Sequence, residues 1–360
     1  MEARADLSIL DDTARMQAMD PADMLGRLGE LAQQVRRAWD EARRLELPLD
    51  YRDARNIVIL GMGGSAIGGE LLRTLTAAEA RWPIVIGRDY DLPAFVGPDS
   101  LVAAVSYSGN TEETLSAFQQ ALERRAKLLA ICGGGRLAEL ADQRGVPLHR
   151  FRYAAAPRAA LGYLFVPLLA VAEQLGVIGS QEQGIQEALT EVESLSQELG
   201  AEVPTAHNPA KQLAGRLHGR LPVVYGAGIL SEVARRWKGQ FNENSKSFAA
   251  FEVFPELNHN AVVGYRNPVD LSERLLILLL MSSHYSPRIL RRIEVTEELL
   301  QRRGIPSERV PARGQSAVAQ LLASIAVGDY VSYYLAMLYD TDPSPVEPID
   351  YLKQRLAQED

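Results

Sequence analysis

Two short stretches of this 360-residue chain combine residue types that can hold a phosphate. The first, Gly61-Met62-Gly63-Gly64-Ser65-Ala66-Ile67-Gly68-Gly69, follows an apolar run and leads into a helical one. Glycines there let backbone amides approach an anion, and the helix N-terminus adds partial positive charge. Gly64 and Ser65 are its candidate phosphate contacts. The stretch also fits G-x-G-x-x-A through Gly61, Gly63 and Ala66, so a dinucleotide site and a purely structural turn are alternatives. Asp89 falls late for the ribose acid of such a site, expected about 20 residues on. The second stretch, Ser106-Tyr107-Ser108-Gly109-Asn110-Thr111, offers three hydroxyls (Ser106, Ser108 and Thr111) and a glycine ahead of another helix. Read blandly, it is a Ser/Thr helix cap. Two such loops after successive strands favour a phosphate monoester over a pyrophosphate. Farther on, Glu243 lies in Asn242-Glu243-Asn244 and His259 in Asn258-His259-Asn260. A carboxylate and an imidazole are the commonest side chains for moving protons. Taken singly, they also read as a surface glutamate at a helix end and a loop histidine.

Loops of this kind need a sheet behind them. Apolar runs at Asn56–Leu60, 83–87, 101–106, Lys127–Cys132 and 146–151 alternate with helical segments or turns. That alternation predicts a parallel sheet in a three-layer α/β unit. Asp20-Pro21 reads as the N-cap and first turn of a helix reaching about residue 45. Residues 159–176 and 181–199 read as connecting helices. A second round opens at Leu221, with a strand at 222–225, the turn Gly226-Ala227-Gly228 and a helix over 229–241. A further strand is expected at Leu275–Met281. Ser286-Pro287 opens a helix to about residue 303, and 316–339 forms another. Residues 57–72 resemble 223–237, which predicts a weak internal repeat. Each copy then sets its glycine turn at the carboxyl end of a parallel strand, where open α/β sheets bind ligands. The expected division is a helical segment at 1–50, a first domain with connecting helices at 51–200, and a second with C-terminal helices at 201–360.

Composition narrows the class. The chain is 47% hydrophobic and 23% charged, as an ordinary globular protein is. A net charge of −8, spread along the sequence, repels a nucleic-acid backbone at long range but leaves room for a local cationic pocket. A single cysteine, Cys132, and five unclustered histidines offer no disulfide framework and no evident metal site. The N-terminus lacks the apolar core of a secretory signal, and the apolar runs at 164–171 and 275–281 are too short to cross a membrane. A cytoplasmic location with no membrane partner is expected.

Gly61–Ser65 and Ser106–Thr111 together resemble the sugar isomerase (SIS) domain, a flavodoxin-like α/β module that binds phosphosugars. With Arg236-Trp237-Lys238-Gly239-Gln240-Phe241-Asn242-Glu243-Asn244-Ser245-Lys246 and Pro255-Glu256-Leu257-Asn258-His259-Asn260, the chain resembles the bifunctional phosphoglucose/phosphomannose isomerases. The resemblance implies two SIS domains, each a mostly parallel sheet flanked by helices, and a homodimer. It implies conversion of glucose 6-phosphate, and of mannose 6-phosphate, to fructose 6-phosphate through a cis-enediol(ate), with no metal or organic cofactor. Glu243 would then be the base working between C2 and C1. His259 would open the sugar ring from the partner subunit. Arg158 would steady the negative intermediate, and Lys353 would assist ring opening. The family's C-terminal threonine, implicated in C2 specificity, has no secure match: Thr341, Ser344 and Val346 are the candidates for its place. Other readings are a non-catalytic phosphosugar sensor and an amidotransferase's isomerase half. The first lacks a helix-turn-helix in the opening 50 residues, and the second lacks an N-terminal cysteine nucleophile.

Overall fold

The computed structural model describes residues 6–356 and residue 358. The chain opens with α1 (Thr13–Met19), α2 (Met24–Gly29) and α3 (Leu31–Ala42). The one helix expected from Asp20 is therefore two. Asp20 does accept from the amides of Met24 and Leu25, at 2.8 and 2.9 Å. Asp23, however, takes a left-handed backbone (φ 56°) and caps α2 itself, and the glycines at 26 and 29 shorten that helix.

The first sheet follows, with β1 (Asn56–Leu60), α4 (Gly63–Leu75), β2 (Ile84–Gly87), β3 (Ser100–Ser106), α5 (Glu112–Glu123), β4 (Lys127–Cys132), α6 (Gly135–Arg144) and β5 (Leu148–Arg150). Its order is β2-β1-β3-β4-β5 with every pair parallel, which is the flavodoxin-like order. Helices α7 (Leu161–Gln174), α8 (Glu182–Glu198) and α9 (Pro209–Leu217) carry the chain onward. The second sheet is made by β6 (Leu221–Ala227), α10 (Ser231–Glu243), β7 (Ala250–Phe254), α11 (Leu271–Arg274), β8 (Leu275–Met281), α12 (Pro287–Arg302) and β9 (Ser307–Pro311). It runs β7-β6-β8-β9, again parallel, so it repeats the first four positions of the other sheet. Strands β7 and β9 are additions to the sequence reading. Both lie at sheet edges, and β9 alternates exposed and half-buried residues instead of forming an apolar run.

The last elements are α13 (Ala317–Leu338) and α14 (Glu347–Leu356). By length and composition α13 could cross a membrane, which the sequence reading overlooked, yet 94% of its most apolar window is buried inside the protein. It packs against α8, α9 and α10 as the central helix of the second half. Where α10 crosses α13, Gly328 is required by close approach: a Cβ there would lie 2.2 Å from Trp237 Nε1. That indole donates to the Ser324 carbonyl at 2.9 Å. This contact fixes the helix that ends in Glu243.

Candidate active site

The sheet order reverses beside β1, between α4 and the loop after β3, and that crevice is where doubly wound sheets bind ligands. Ser65, in the first turn of α4, accepts a hydrogen bond from the Tyr107 amide at 3.2 Å, joining the two loops. Ser106 Oγ lies 2.9 Å from Thr111 Oγ1 and accepts from the Gly109 amide at 3.0 Å, while Ser108 Oγ accepts from Asn110 N at 3.1 Å. Thr111 makes no side-chain cap to α5, so its hydroxyl is turned toward the loop. Beneath lies Gly133-Gly134-Gly135. The loop seats on it so closely that a Cβ on Gly109 (φ 73°) would meet the Gly134 carbonyl oxygen at 1.8 Å. The Tyr107 and Gly109 carbonyls accept from the amides of Gly133 and Leu137. The triple glycine is thus the floor of the hydroxyl loop.

A cleft of about 290 Å³ opens at the α4 N-terminus and is lined by Gly64, Arg158, Arg236, Gln240 and Glu243, among others. That is near the lower end of small-molecule sites, roughly 300 Å³. Arg158, 4% exposed in the turn Pro157–Ala159, donates Nη1–H to Glu243 Oε2 at 3.3 Å. Its Nε–H goes to Asn244 Oδ1 at 2.6 Å, and Nη2 reaches the carbonyls of Pro343 at 2.6 Å and Ser344 at 3.1 Å. Burial lowers the Arg158 pKa, opposed by the Glu243 carboxylate. Behind it, Arg236 donates to the Arg158 carbonyl and to both oxygens of Asp329, which also accepts from Gln240. Asn244, fully buried, donates to Ser332 Oγ. Glu243 ends α10 with its side chain 35% exposed, so a carboxylate faces the cleft while the Arg158 guanidinium that orients it is buried. The arrangement can remove a proton from carbon and stabilise the oxyanion that results.

Residues 50–144 match the SIS domain profile, and residues 206–356 match the profile of the bacterial phospho-glucose isomerase C-terminal SIS domain. A bifunctional phosphoglucose/phosphomannose isomerase of Caldicellulosiruptor bescii is 41% identical over 331 residues, which is 91% of this chain and 97% of that one. Its counterpart in Aquifex aeolicus is 37% identical over 315 residues, 87% and 94% of the two chains. The chain belongs to the bifunctional phosphoglucose/phosphomannose isomerase family. A glucose-6-phosphate isomerase like protein of Thermus thermophilus superposes with a TM-score of 0.63 over 96% of this chain and 98% of that one; at 19% identity this likeness concerns the fold.

For a phosphoglucose/phosphomannose isomerase family member, two expected positions stand apart. His259 ends the turn Glu256–His259, exposed and not among the residues lining the cleft, although Asn258 beside it is anchored to Thr296 and Arg292. Lys353 is exposed on α14, a helix with no buried residue. At the second glycine turn the Ala227 amide donates to the Tyr285 hydroxyl at 3.1 Å, and that hydroxyl donates to Leu280 O, so this amide already has a partner within the protein. Among the described residues no three His, Cys, Asp or Glu side chains are grouped as metal ligands. Sequence reasoning did not single out Asn244, Arg236, Asp329 or the 343–344 carbonyls. Only the Asn-Glu-Asn triplet hinted at the first.

Proposed function

We propose that this chain interconverts glucose 6-phosphate, and mannose 6-phosphate, with fructose 6-phosphate through a cis-enediol(ate). The observation that carries the reading is the Arg158–Glu243 pair, a partly exposed carboxylate hydrogen-bonded at a cleft by a buried guanidinium that makes four of its five possible hydrogen bonds. Glu243 takes the proton from C2 of the open-chain aldose and returns it at C1. Its bond to Arg158 sets the carboxylate's direction, and the guanidinium offsets the charge that develops on the intermediate's oxygen, an effect worth about 3 kcal/mol where water is excluded. Gly64, Ser65, Ser106, Ser108 and Thr111 hold the phosphate at the joined loops. His259 of a second copy opens the ring, assisted by Lys353. Proton transfer and charge stabilisation cover each step, so the reading requires neither metal nor organic cofactor. A small sugar phosphate as substrate is consistent with a cytoplasmic homodimer.

The names carried by relatives such as those from C. bescii and A. aeolicus favour turnover over the alternative of a silent phosphosugar sensor. The test is a coupled assay from fructose 6-phosphate that follows both aldose products, with Glu243→Gln beside the parent protein. Expected is loss of turnover by about three orders of magnitude with sugar-phosphate binding retained. Full turnover by Glu243→Gln would sink the assignment of the base, and no turnover by the parent protein would leave the sensor.

A further inference from the structure

Beyond the end of α10 the backbone turns through Lys246 with φ 52°, a left-handed conformation usually left to glycine after a helix. A long side chain is kept there despite that cost. Although Lys246 is exposed overall, its Nζ is turned inward and donates to the Glu243 carbonyl at 2.6 Å and to the Pro343 carbonyl at 3.0 Å. Pro343 O is the same oxygen that accepts from Arg158 Nη2. Two cations therefore meet on one carbonyl of the strap joining α13 to α14, and each also holds residue 243, Arg158 by its carboxylate and Lys246 by its backbone. The strap so placed puts Ser344 beside Arg158, with its hydroxyl buried and unpartnered among the described residues.

We propose that Lys246 is a positioning residue for the isomerisation: its ammonium ties the backbone of Glu243 to the Pro343 strap and so fixes the base. The proposal rests on Glu243 being the base. It goes beyond that reading in giving a task to the end of the Asn-Glu-Asn-Ser-Lys stretch and to the strap, neither of which touches the reacting carbons. The charged groups facing the ammonium are Arg158 on the turn before α7, Glu243 on α10, Asp342 on the strap and Glu347 on α14. Desolvation and the Arg158 charge outweigh the three carboxylates and pull the Lys246 pKa down to about 8. The clamp is thus held below that pH and released as pH rises through it. Arginine at the same place stays charged throughout.

The experiment compares kcat and KM from pH 6.5 to 10 for the parent protein, Lys246→Met, Lys246→Arg and Glu243→Gln. Lys246→Met is expected to lose about 10- to 100-fold in kcat with KM little changed, since the phosphate loops are untouched. Lys246→Arg is expected to keep turnover, with the alkaline limb of kcat moved to higher pH. Parent-like kcat in Lys246→Met overturns the proposal. So does an unmoved alkaline limb in Lys246→Arg, which also decides the matter if Lys246→Met does not fold. Glu243→Gln separates the two readings: loss there with parent-like Lys246 variants overturns only the clamp, whereas turnover there overturns the base on which it rests.

Discussion

A buried guanidinium with four acceptors is a different object from a surface arginine. Arg158 serves Glu243, Asn244, Pro343 and Ser344 at once, and each bond removes freedom from the carboxylate it orients. A lysine could not present donors in the same plane, so this position discriminates between the two cations. Elsewhere a single buried residue contributes to the acid stability of the chain. His149 on β5 is buried, its Nε2 has no hydrogen-bond partner, and desolvation lowers its pKa to about 4. The unfolded chain takes up a proton near pH 6.5 while the folded one refuses it until about pH 4. Stability is therefore present above pH 6.5 and is lost as pH falls through that window, by up to about 3 kcal/mol. We expect His149→Phe to flatten the decline in midpoint denaturation between pH 7 and pH 5; an unchanged decline would assign it to other groups.

At the level of elements, the site is placed by two helices meeting at close quarters. Gly328 allows α10 to lie on α13, and α10 delivers Glu243 at its last residue. Gly328→Ala would drive a methyl into the Trp237 indole, a misfit that typically costs about 2 kcal/mol. The expected result is a lowered unfolding midpoint in urea with an unchanged slope, and reduced turnover because α10 shifts. Gly239→Ala on the same helix is the control: a Cβ there meets nothing within 4 Å, and the change should be neutral or slightly stabilising. Since Gly239 lines the cleft, this control is read on stability alone. Equal destabilisation by both substitutions would show that something other than the α10–α13 contact governs, since Gly→Ala by itself raises helix propensity. Elements of this kind were legible where burial leaves a pattern. Strands β1, β3 and β4, covered on both faces, appear in the sequence as apolar runs, whereas β7 and β9 at the edges do not. The break between α2 and α3 was missed because one apolar stripe continues across it.

For the molecule as a whole, the exposed positions are as informative as the buried ones. His259 lies outside its own cleft, and α14 presents Tyr351, Leu352 and Leu356 to solvent, each at least 59% exposed. A homodimer in which His259 serves the partner's cleft gives an unambiguous test. Glu243→Gln and His259→Ala, each inactive alone, are unfolded or dissociated together and re-associated. Half of the dimers are then mixed, and each mixed dimer has one site with both residues intact, so about a quarter of parental activity should return. No recovery, with mixed dimers shown to form, would place His259 in its own chain's site or outside the chemistry.

The sequence by itself determined the two α/β units, the hydroxyl and glycine loops, and the residue types at positions 243 and 259, because these depend on local pattern: apolar runs, turn glycines and amides flanking a titratable group. It also carried the family resemblance, through motifs long enough to be specific. Only the tertiary structure brought the Tyr285 hydroxyl, from 58 residues away, onto an amide of the second glycine turn. Tertiary packing likewise made the triple glycine at 133–135 the floor of a loop. And it gathered Arg158, Glu243, Asn244, Lys246 and the Pro343 carbonyl into one set of hydrogen bonds, some between residues 185 apart in the chain. Such contacts follow from the crossing of α10 and α13, and no local spacing encodes them.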